Sequence, residues 1–139
     1  MKIRELMTQC VIGIEPEESV AVAARTLAHY NIGILPVCRN GSLCGLVTDR
    51  DLVTRCIAAG KTPEKTRVQD VMTAQPVCVS PDTDAAAAAR LMGSRQIRRL
   101  PVMEDGKLCG MVSIGDLARQ DEIAYDAGDA LAEISENLR

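Results

Sequence analysis

The side chains best suited to chemistry stand in two motifs in which a hydroxyl residue precedes a carboxylate by three positions. The motifs are Thr48-x-x-Asp51 and Ser113-x-x-Asp116. An ionised carboxylate only accepts hydrogen bonds, so either aspartate could hold hydroxyl groups of a ligand. The same spacing predicts a capping box at a helix start, with Asp in place of the usual Glu or Gln. The motif alone leaves both interpretations open, and the roles can coexist because a helix N-terminus also favours anions.

A second candidate is the pair of adjacent arginines Arg98 and Arg99, at the start of a predicted strand. Guanidinium groups bind phosphate in a forked geometry. Neighbouring strand residues face opposite sides, so at most one of the pair points easily into a given cleft. The alternative is a solvated pair or a pair in a subunit interface.

These motifs belong to an internal repeat. Shifting the sequence by 65 residues aligns its two halves without a gap, so that Leu35-Pro36-Val37 meets Leu100-Pro101-Val102. The match extends over nearly all of both copies and predicts a duplicated unit with pseudo-twofold symmetry. Gly33 and Ile34 stand where the second copy has the two arginines, and they cannot bind phosphate. The predicted divisions are repeat one (1–60), a connector (61–66), repeat two (67–120) and an acidic C-terminal helix or tail (121–139).

Each repeat is predicted to be a β-α-β-β-α unit, which makes the protein an α/β (α+β) chain. In repeat one we expect a strand over 11–14, a helix from Val20 to about Tyr30 capped by Ser19, strands over 34–38 and 43–47 around the turn Asn40-Gly41, and a helix from Asp49 to about Ala59. In repeat two we expect a strand over 77–79, a helix over 85–92 capped by Asp82 or Asp84, strands over 98–103 and 108–112 around Asp105-Gly106, and a helix after Ser113.

The C-terminal segment 121–138 is rich in Asp, Glu and Ala. At helical spacing it places five apolar residues on one stripe: Ile123, Ala127, Ala130, Leu131 and Ile134. The stripe predicts a helix that docks on the body of the protein or on a partner, and a solvated, frayed tail is the alternative.

Composition excludes several classes of function. The net charge of −3 and the pI near 5.2 give no general reason to bind DNA or an anionic membrane, and two Tyr without Phe or Trp give no platform for base stacking. No apolar run approaches the roughly 20 residues that span a bilayer, and no signal peptide is evident, so we expect a cytoplasmic protein. The six Cys are then expected to be reduced, buried small hydrophobes.

Catalysis and metal binding find no support in the motifs. The single histidine, His29, cannot anchor a metal site alone and is expected at a helix end on the surface. No phosphate-binding P-loop and no Gly-x-Gly-x-x-Gly sequence occurs. We therefore expect neither an enzyme nor a bound metal or cofactor.

The two copies resemble the CBS-domain pair, also called a Bateman module. The resemblance rests on the run from Gly45 to Asp51, its counterpart from Gly110 to Asp116, and a Leu-Pro-Val triplet before each hairpin. It covers about residues 3–120. It implies a ligand-sensing regulatory module that binds an adenosine compound (AMP, ADP, ATP, NAD or S-adenosylmethionine) and pairs as a homodimer, acting alone or on a separate regulated protein.

The resemblance also implies two composite clefts, in which the aspartate would hold a ribose. The first would take Leu46, Thr48, Arg50 and Asp51 from repeat one, with Val77, Arg98 and Arg99 from repeat two. The second would take Met111, Ser113 and Asp116 from repeat two, with Ile12, Gly33 and Ile34 from repeat one. Because of its arginines, the first cleft should favour a phosphorylated ligand.

Some of these assignments keep a structural alternative. Ile12 and Val77 could cover a base or simply belong to core strands. Gly45 and Gly110 could admit a ligand or relieve packing. The competing function is that of a ligand-free dimerisation or interaction protein in stress response or partner regulation.

Overall fold

The computed structural model describes residues 1–9 and 11–136 and divides into two compact units. The central unit is Ile12–Pro76, and the terminal unit combines Met1–Val11 with Val77–Arg139. The N-terminal segment joins the second repeat because Ile3 is fully buried in that core and its N–H donates to the carbonyl of Thr83 at 3.0 Å. The contacts therefore divide the chain after Pro76, beyond the predicted connector 61–66.

The central unit contains one long helix and a three-stranded antiparallel sheet in the order β1-β2-β3. Its elements are α1 (Val20–Tyr30), β1 (Ile34–Arg39), β2 (Ser42–Thr48), α2 (Asp49–Asp51), a π-helical segment (Leu52–Ile57), a 3-10 turn (Val68–Asp70) and β3 (Thr73–Ala74). Ser19 caps α1 by accepting the N–H of Val22, and Asn31 ends it in the left-handed conformation. Both α1 boundaries are therefore as predicted.

The terminal unit repeats this plan and adds a helix. Its elements are a 3-10 turn (Ile3–Glu5), α3 (Ala85–Arg95), β4 (Arg99–Glu104), β5 (Lys107–Ser113), α4 (Ile114–Ala118) and α5 (Ala124–Ser135). β4 and β5 form a two-stranded antiparallel sheet. The core is built from aliphatic side chains and Met, including the fully buried Leu100, Val102 and Met92.

The two hairpins confirm the turn predictions. Asn40 and Gly41 have φ values of 54° and 80°, and Asp105 and Gly106 have 53° and 77°. Positive φ at both central residues gives the turn a backbone twist that matches the twist of the flanking strands. Asn-Gly and Asp-Gly adopt these φ values at low cost. Each hairpin carries a register shift at the equivalent place, after Val37 and after Val102.

The predicted short strands over 11–14 and 77–79 are wrong. Each segment makes only an isolated parallel bridge, Ile14 to Val37 and Val79 to Val102. A nearby proline, Pro16 or Pro81, and the short apolar run leave too little chain for a ladder. Conversely, β3 was not predicted, because its two exposed residues have no apolar pattern of their own.

Two helix predictions also need correction. The helix after Thr48 is α-helical only over α2 and continues with the wider π hydrogen-bonding pattern to Ile57. Asp84 is the residue before α3, as expected for one of the two candidates, but its side chain makes no capping hydrogen bond.

The C-terminal helix docks within the terminal unit, which excludes the frayed tail for the described part of this segment. Ile123, Ala127, Ala130 and Ile134 are buried, whereas Leu131 is 48% exposed and does not belong to the buried stripe. α5 packs mainly on α3. The close packing explains Gly93, because a Cβ there would lie 3.0 Å from the Cα of Ala130.

Candidate functional site

The Thr48 motif forms a complete capping box at the start of α2. The hydroxyl of Thr48 accepts the N–H of Asp51 at 3.1 Å, and Oδ2 of Asp51 accepts the N–H of Thr48 at 2.9 Å. Asp51 is largely covered, with 14% of its side chain exposed. The capping interpretation is thus confirmed, and only one of the two carboxylate oxygens takes part in it.

The Ser113 motif has the same geometry in the terminal unit. The hydroxyl of Ser113 accepts the N–H of Asp116 at 3.1 Å, and Oδ2 of Asp116 accepts the N–H of Ser113 at 2.9 Å. The identical local geometry follows from the identical spacing, since both bonds span three residues.

The second carboxylate oxygen distinguishes the two motifs. Oδ1 of Asp116 accepts a hydrogen bond from Nη2 of Arg119 at 2.6 Å. Oδ1 of Asp51 has Nε of Arg55 at 3.7 Å, which is longer than a hydrogen bond. Arg55 instead donates through Nη1 to the carbonyls of Val71 and Met72 at 3.2 and 3.1 Å. Asp51 therefore keeps more capacity to accept a ligand hydroxyl.

Sequence reasoning missed both of these arginines. Their positions, four residues after Asp51 and three after Asp116, are the spacings at which helical side chains meet, and this signal could have found them. Arg50, which was predicted for the first cleft, is exposed.

The arginine pair lies at the end of the terminal sheet where β4 begins and β5 ends, beside the Ser113 motif. Arg99 is the register partner of Ser113, and the carbonyl of Arg98 accepts the N–H of Ile114 at 2.8 Å. Both arginines are exposed. In the central unit the equivalent Gly33 accepts the N–H of Asp49 at 3.1 Å through its carbonyl, and Ile34 faces Thr48 in the register.

The other predicted residues are half-buried. Leu46 lies on β2 between Pro36 and Thr73, and Met111 lies on β5 with its backbone paired to Thr8. Ile12 and Val77 pack against the cores of their units, which is the structural alternative named for them.

The structure thus assembles the predicted residues within units. The central unit brings Thr48 and Asp51 together with Gly33, and the terminal unit brings Ser113 and Asp116 together with the arginine pair. Each predicted cleft draws residues from both units, so the composite clefts themselves stay predictions.

The two glycines before the motifs serve packing. A Cβ at Gly45 would lie 2.6 Å from the carbonyl oxygen of Thr73, and one at Gly110 would lie 2.9 Å from that of Thr8. Each strand is therefore crossed closely by a backbone segment of its own unit. This contact accounts for both glycines without a ligand.

Cysteine and histidine chemistry is limited in the described residues. Cys38, Cys44, Cys56, Cys78 and Cys109 are not in disulfides. Of these five, only Cys56 is buried as expected, and the others are half-buried; Cys10 lies outside the described residues. Burial raises the pKa of the thiols of Cys38, Cys78 and Cys109 above the usual value. His29 is exposed at the end of α1, as predicted, and packs edge-on against Tyr30.

The described residues contain neither a candidate metal site nor a helix that could span a membrane. Over 1–9 and 11–136 no group of three or more His, Cys, Asp or Glu side chains could hold a metal ion. No helix in the same part of the chain has the length and apolar character needed to cross a bilayer.

Comparison with known proteins identifies the fold family. The CBS domain family model matches twice, over residues 3–57 and 68–122. The chain belongs to the CBS domain family. Its two tandem CBS repeats confirm both the resemblance noted in the sequence and the predicted α/β class. The CBS domain-containing protein YhcV of Bacillus subtilis is 36% identical over 96% of this chain and 94% of its own length.

Two solved CBS structures are also similar. The hexameric CBS-CP12 protein from bloom-forming cyanobacteria has a TM-score of 0.77 and 29% identity, over 90% of this chain and 73% of that one. The CBS domain protein PAE2072 from Pyrobaculum aerophilum, complexed with AMP, has a TM-score of 0.81 and 20% identity, over 92% of this chain and 98% of that one. At this identity the second likeness shows the fold alone.

Proposed function

We propose that this protein is a regulatory module that senses an adenine nucleotide and that Asp51 holds the ribose. The observation that carries the proposal is the half-used carboxylate of Asp51. Its Oδ2 closes the capping box, while Oδ1 lies 3.7 Å from Nε of Arg55, which is too far for a hydrogen bond. A partly buried acceptor oxygen of this kind suits a vicinal diol, whose hydroxyls both donate.

The fold supports the ligand class. PAE2072, which shares the fold, is complexed with AMP, so this architecture can hold a nucleoside monophosphate. The exposed guanidinium group of Arg98 or of Arg99 would bind the phosphate of AMP, ADP or ATP in the first cleft. NAD and S-adenosylmethionine share the adenosine part and belong to the same test.

The second cleft is proposed to be the weaker site. The Oδ1 atom of Asp116 already accepts the Arg119 hydrogen bond, which a ribose would have to displace or share. The central unit would contribute Gly33 and Ile34 to this cleft, and neither side chain provides a cation.

Regulation would follow from differential affinity. Proteins built only of CBS domains are generally regulatory, and we propose regulation rather than catalysis here. A nucleotide that binds one arrangement of the two repeats better than another shifts the population toward it, and a partner protein reads the change.

Titration calorimetry of the full chain with AMP, ADP, ATP, NAD and S-adenosylmethionine tests the proposal. Asp51→Asn keeps one carbonyl oxygen for the capping box but replaces the other acceptor by a donor. We expect at least about tenfold weaker binding in Asp51→Asn, since a hydrogen bond to a charged group contributes roughly 1.5–3 kcal/mol. The matched control is Asp116→Asn, which should leave nucleotide binding in the first cleft unchanged. Absence of binding heat for all five compounds with folded protein would refute the proposal.

Self-association is the second candidate function, and exposed apolar residues favour it. Ile32, Val53 and Ile57 of the central unit are 36%, 57% and 57% exposed, and Tyr125 on α5 is 80% exposed. The similar CBS-CP12 protein is hexameric. We propose a homodimer; if every nucleotide leaves the melting temperature unchanged while the protein still associates, association or partner binding without a ligand becomes the better account.

A further inference from the structure

The arginine that follows each capping box stands at a different distance from the aspartate. In the terminal unit, Nη2 of Arg119 lies 2.6 Å from Oδ1 of Asp116, so no other atom fits between the two. In the central unit, Nε of Arg55 lies 3.7 Å from Oδ1 of Asp51, which is beyond hydrogen-bond distance. The central unit therefore has a gap between a cation and a carboxylate oxygen, and the terminal unit has a closed ion pair.

The guanidinium group of Arg55 is held on one side and is free on the other. Its Nη1 donates to the carbonyl oxygens of Val71 at 3.2 Å and of Met72 at 3.1 Å. Nε and Nη2 have no hydrogen-bond partner within residues 1–9 and 11–136. Half of the side chain is exposed. Arg55 therefore presents accessible N–H donors at a set position beside Asp51.

The contact with the chain at Val71 and Met72 does not by itself explain an arginine at this position. The segment β3, which follows Met72, is already paired with β2 through its backbone. In the other repeat, Thr8 and Met111 make the equivalent crossing with backbone hydrogen bonds of 2.8 and 3.0 Å. The residue equivalent to Arg55 there is Gln120. The crossing therefore forms in both repeats, although only one of them has the arginine.

The gap beside Asp51 has the chemistry of a hydroxyl site. A hydroxyl oxygen about 2.8 Å from both atoms would donate its proton to Oδ1 of Asp51 and accept the N–H of Nε of Arg55. Only a group that both donates and accepts makes these two bonds at once. An ionised phosphate oxygen would be repelled by Asp51, and an ammonium group would be repelled by Arg55. Because both protein groups are charged, both hydrogen bonds are of the stronger kind.

We propose that Arg55 is a ligand-binding residue of the Asp51 site and that one ribose hydroxyl of the nucleotide lies between Oδ1 of Asp51 and Nε of Arg55. The inference rests on the function proposed above and adds to it a residue that determines specificity. Arg55 binds the sugar, so the site discriminates against a nucleotide that lacks this hydroxyl. The closed pair of Asp116 and Arg119 has no equivalent gap.

Titration calorimetry of the full chain with AMP and with its 2′-deoxy and 3′-deoxy forms tests the inference. For the natural chain we expect one deoxy form to bind at least about tenfold more weakly than AMP, because it leaves two charged groups without their shared partner. Arg55→Gln installs the residue of the other repeat. It should weaken AMP binding at least about fivefold and reduce the preference for AMP over that deoxy form by a similar factor.

Two comparisons separate the sugar contact from other roles of Arg55. Adenosine has no phosphate and should lose as much affinity as AMP does in Arg55→Gln. Arg25→Gln removes the same charge from an exposed position of α1 and should bind AMP and both deoxy forms as the natural chain does. Thermal unfolding without ligand verifies that both variants are folded.

The outcomes distinguish this inference from the proposed function. If Arg55 is only structural, AMP and the deoxy forms weaken by the same factor in Arg55→Gln, which overturns the inference. A loss of affinity for AMP without a loss for adenosine means that Arg55 binds the phosphate, which also overturns it. Equal binding of AMP and both deoxy forms to the natural chain, or no binding of AMP, has the same consequence. The proposed function fails only if none of the five adenosine compounds binds.

Discussion

The helices α1 and α3 occupy equivalent places in the two repeats, but only α3 is covered by another helix of the terminal unit. Met92 on α3 is fully buried and Gly93 is pressed against α5, while Ala28 on α1 borders an open groove. Duplication supplied two similar faces, and the added C-terminal helix made their surroundings different. The comparison teaches that repeat equivalence predicts local geometry well and solvent exposure poorly.

A second difference concerns the capping aspartates. The boxes at Thr48 and Ser113 have the same hydrogen-bond distances, yet the neighbouring arginine forms a hydrogen bond only to Asp116. A single residue of spacing, i+4 for Arg55 against i+3 for Arg119, accompanies this change. Because Arg55 forms no hydrogen bond with Asp51, we assign the stronger ligand site to Asp51.

The largest expected effect tests which face of α5 is buried. Ile134→Ala should lower the free energy of unfolding by about 3 kcal/mol, because it leaves a cavity where a nearly fully buried side chain stood. Leu131→Ala, at a half-exposed position, should change it by less than about 0.5 kcal/mol. Urea denaturation of dilute protein measures both. Equal losses would mean that α5 lies in another orientation.

The next test compares the covered and uncovered helices directly. Gly93→Leu should destabilise by about 2 kcal/mol because the new Cβ would lie 2.9 Å from Glu133 Oε1 and 3.0 Å from Ala130 Cα. Ala28→Leu, at the equivalent place on α1, should cost less than about 0.5 kcal/mol. The measurement is again urea denaturation, and a tolerated Gly93→Leu would argue against close packing of α5.

A smaller effect is expected at the capping boxes, where the two units should behave alike. Thr48→Ala and Ser113→Ala each remove the oxygen that accepts the N–H of the aspartate, so each should destabilise by about 1 kcal/mol. Thr48→Ser and Ser113→Thr keep the hydroxyl and serve as controls. Thermal unfolding compares all four variants. A loss confined to one unit would break their local equivalence.

The smallest effect concerns thiol ionisation. Burial raises the pKa of Cys38 in the central unit and of Cys78 in the terminal unit, so each thiol should react with iodoacetamide more slowly than free cysteine near pH 8. In the unfolded chain these thiols ionise at lower pH, so folding stability should fall as the pH rises from the unfolded pKa to the folded one. Mass spectrometry of alkylated peptides reports the rates, with urea-unfolded protein as the control. Rates equal to that control would contradict the burial.

Much of this fold was predictable because its signals are local. The caps at Ser19 and Asn31, the Asn40-Gly41 and Asp105-Gly106 turns, and both capping boxes depend on residues no more than four apart. The strands at 11–14 and 77–79 failed because a short apolar run does not reveal whether a partner strand is within reach. The same limit applies to the arginine pair, whose place at the start of a strand was predictable, whereas the cleft that it would serve was not.

The sequence by itself determined the duplication, the order of helices and strands in each copy, the turn chemistry and the spacing of hydroxyl and carboxylate. Only the tertiary structure decided that Ile3 belongs with the second repeat, that Leu131 faces outward and that Gly45 lies against Thr73. Hydrogen bonds across three or four residues form wherever the motif occurs. Burial depends on which distant segments remove the same surface from water, and no single stretch of sequence contains that information.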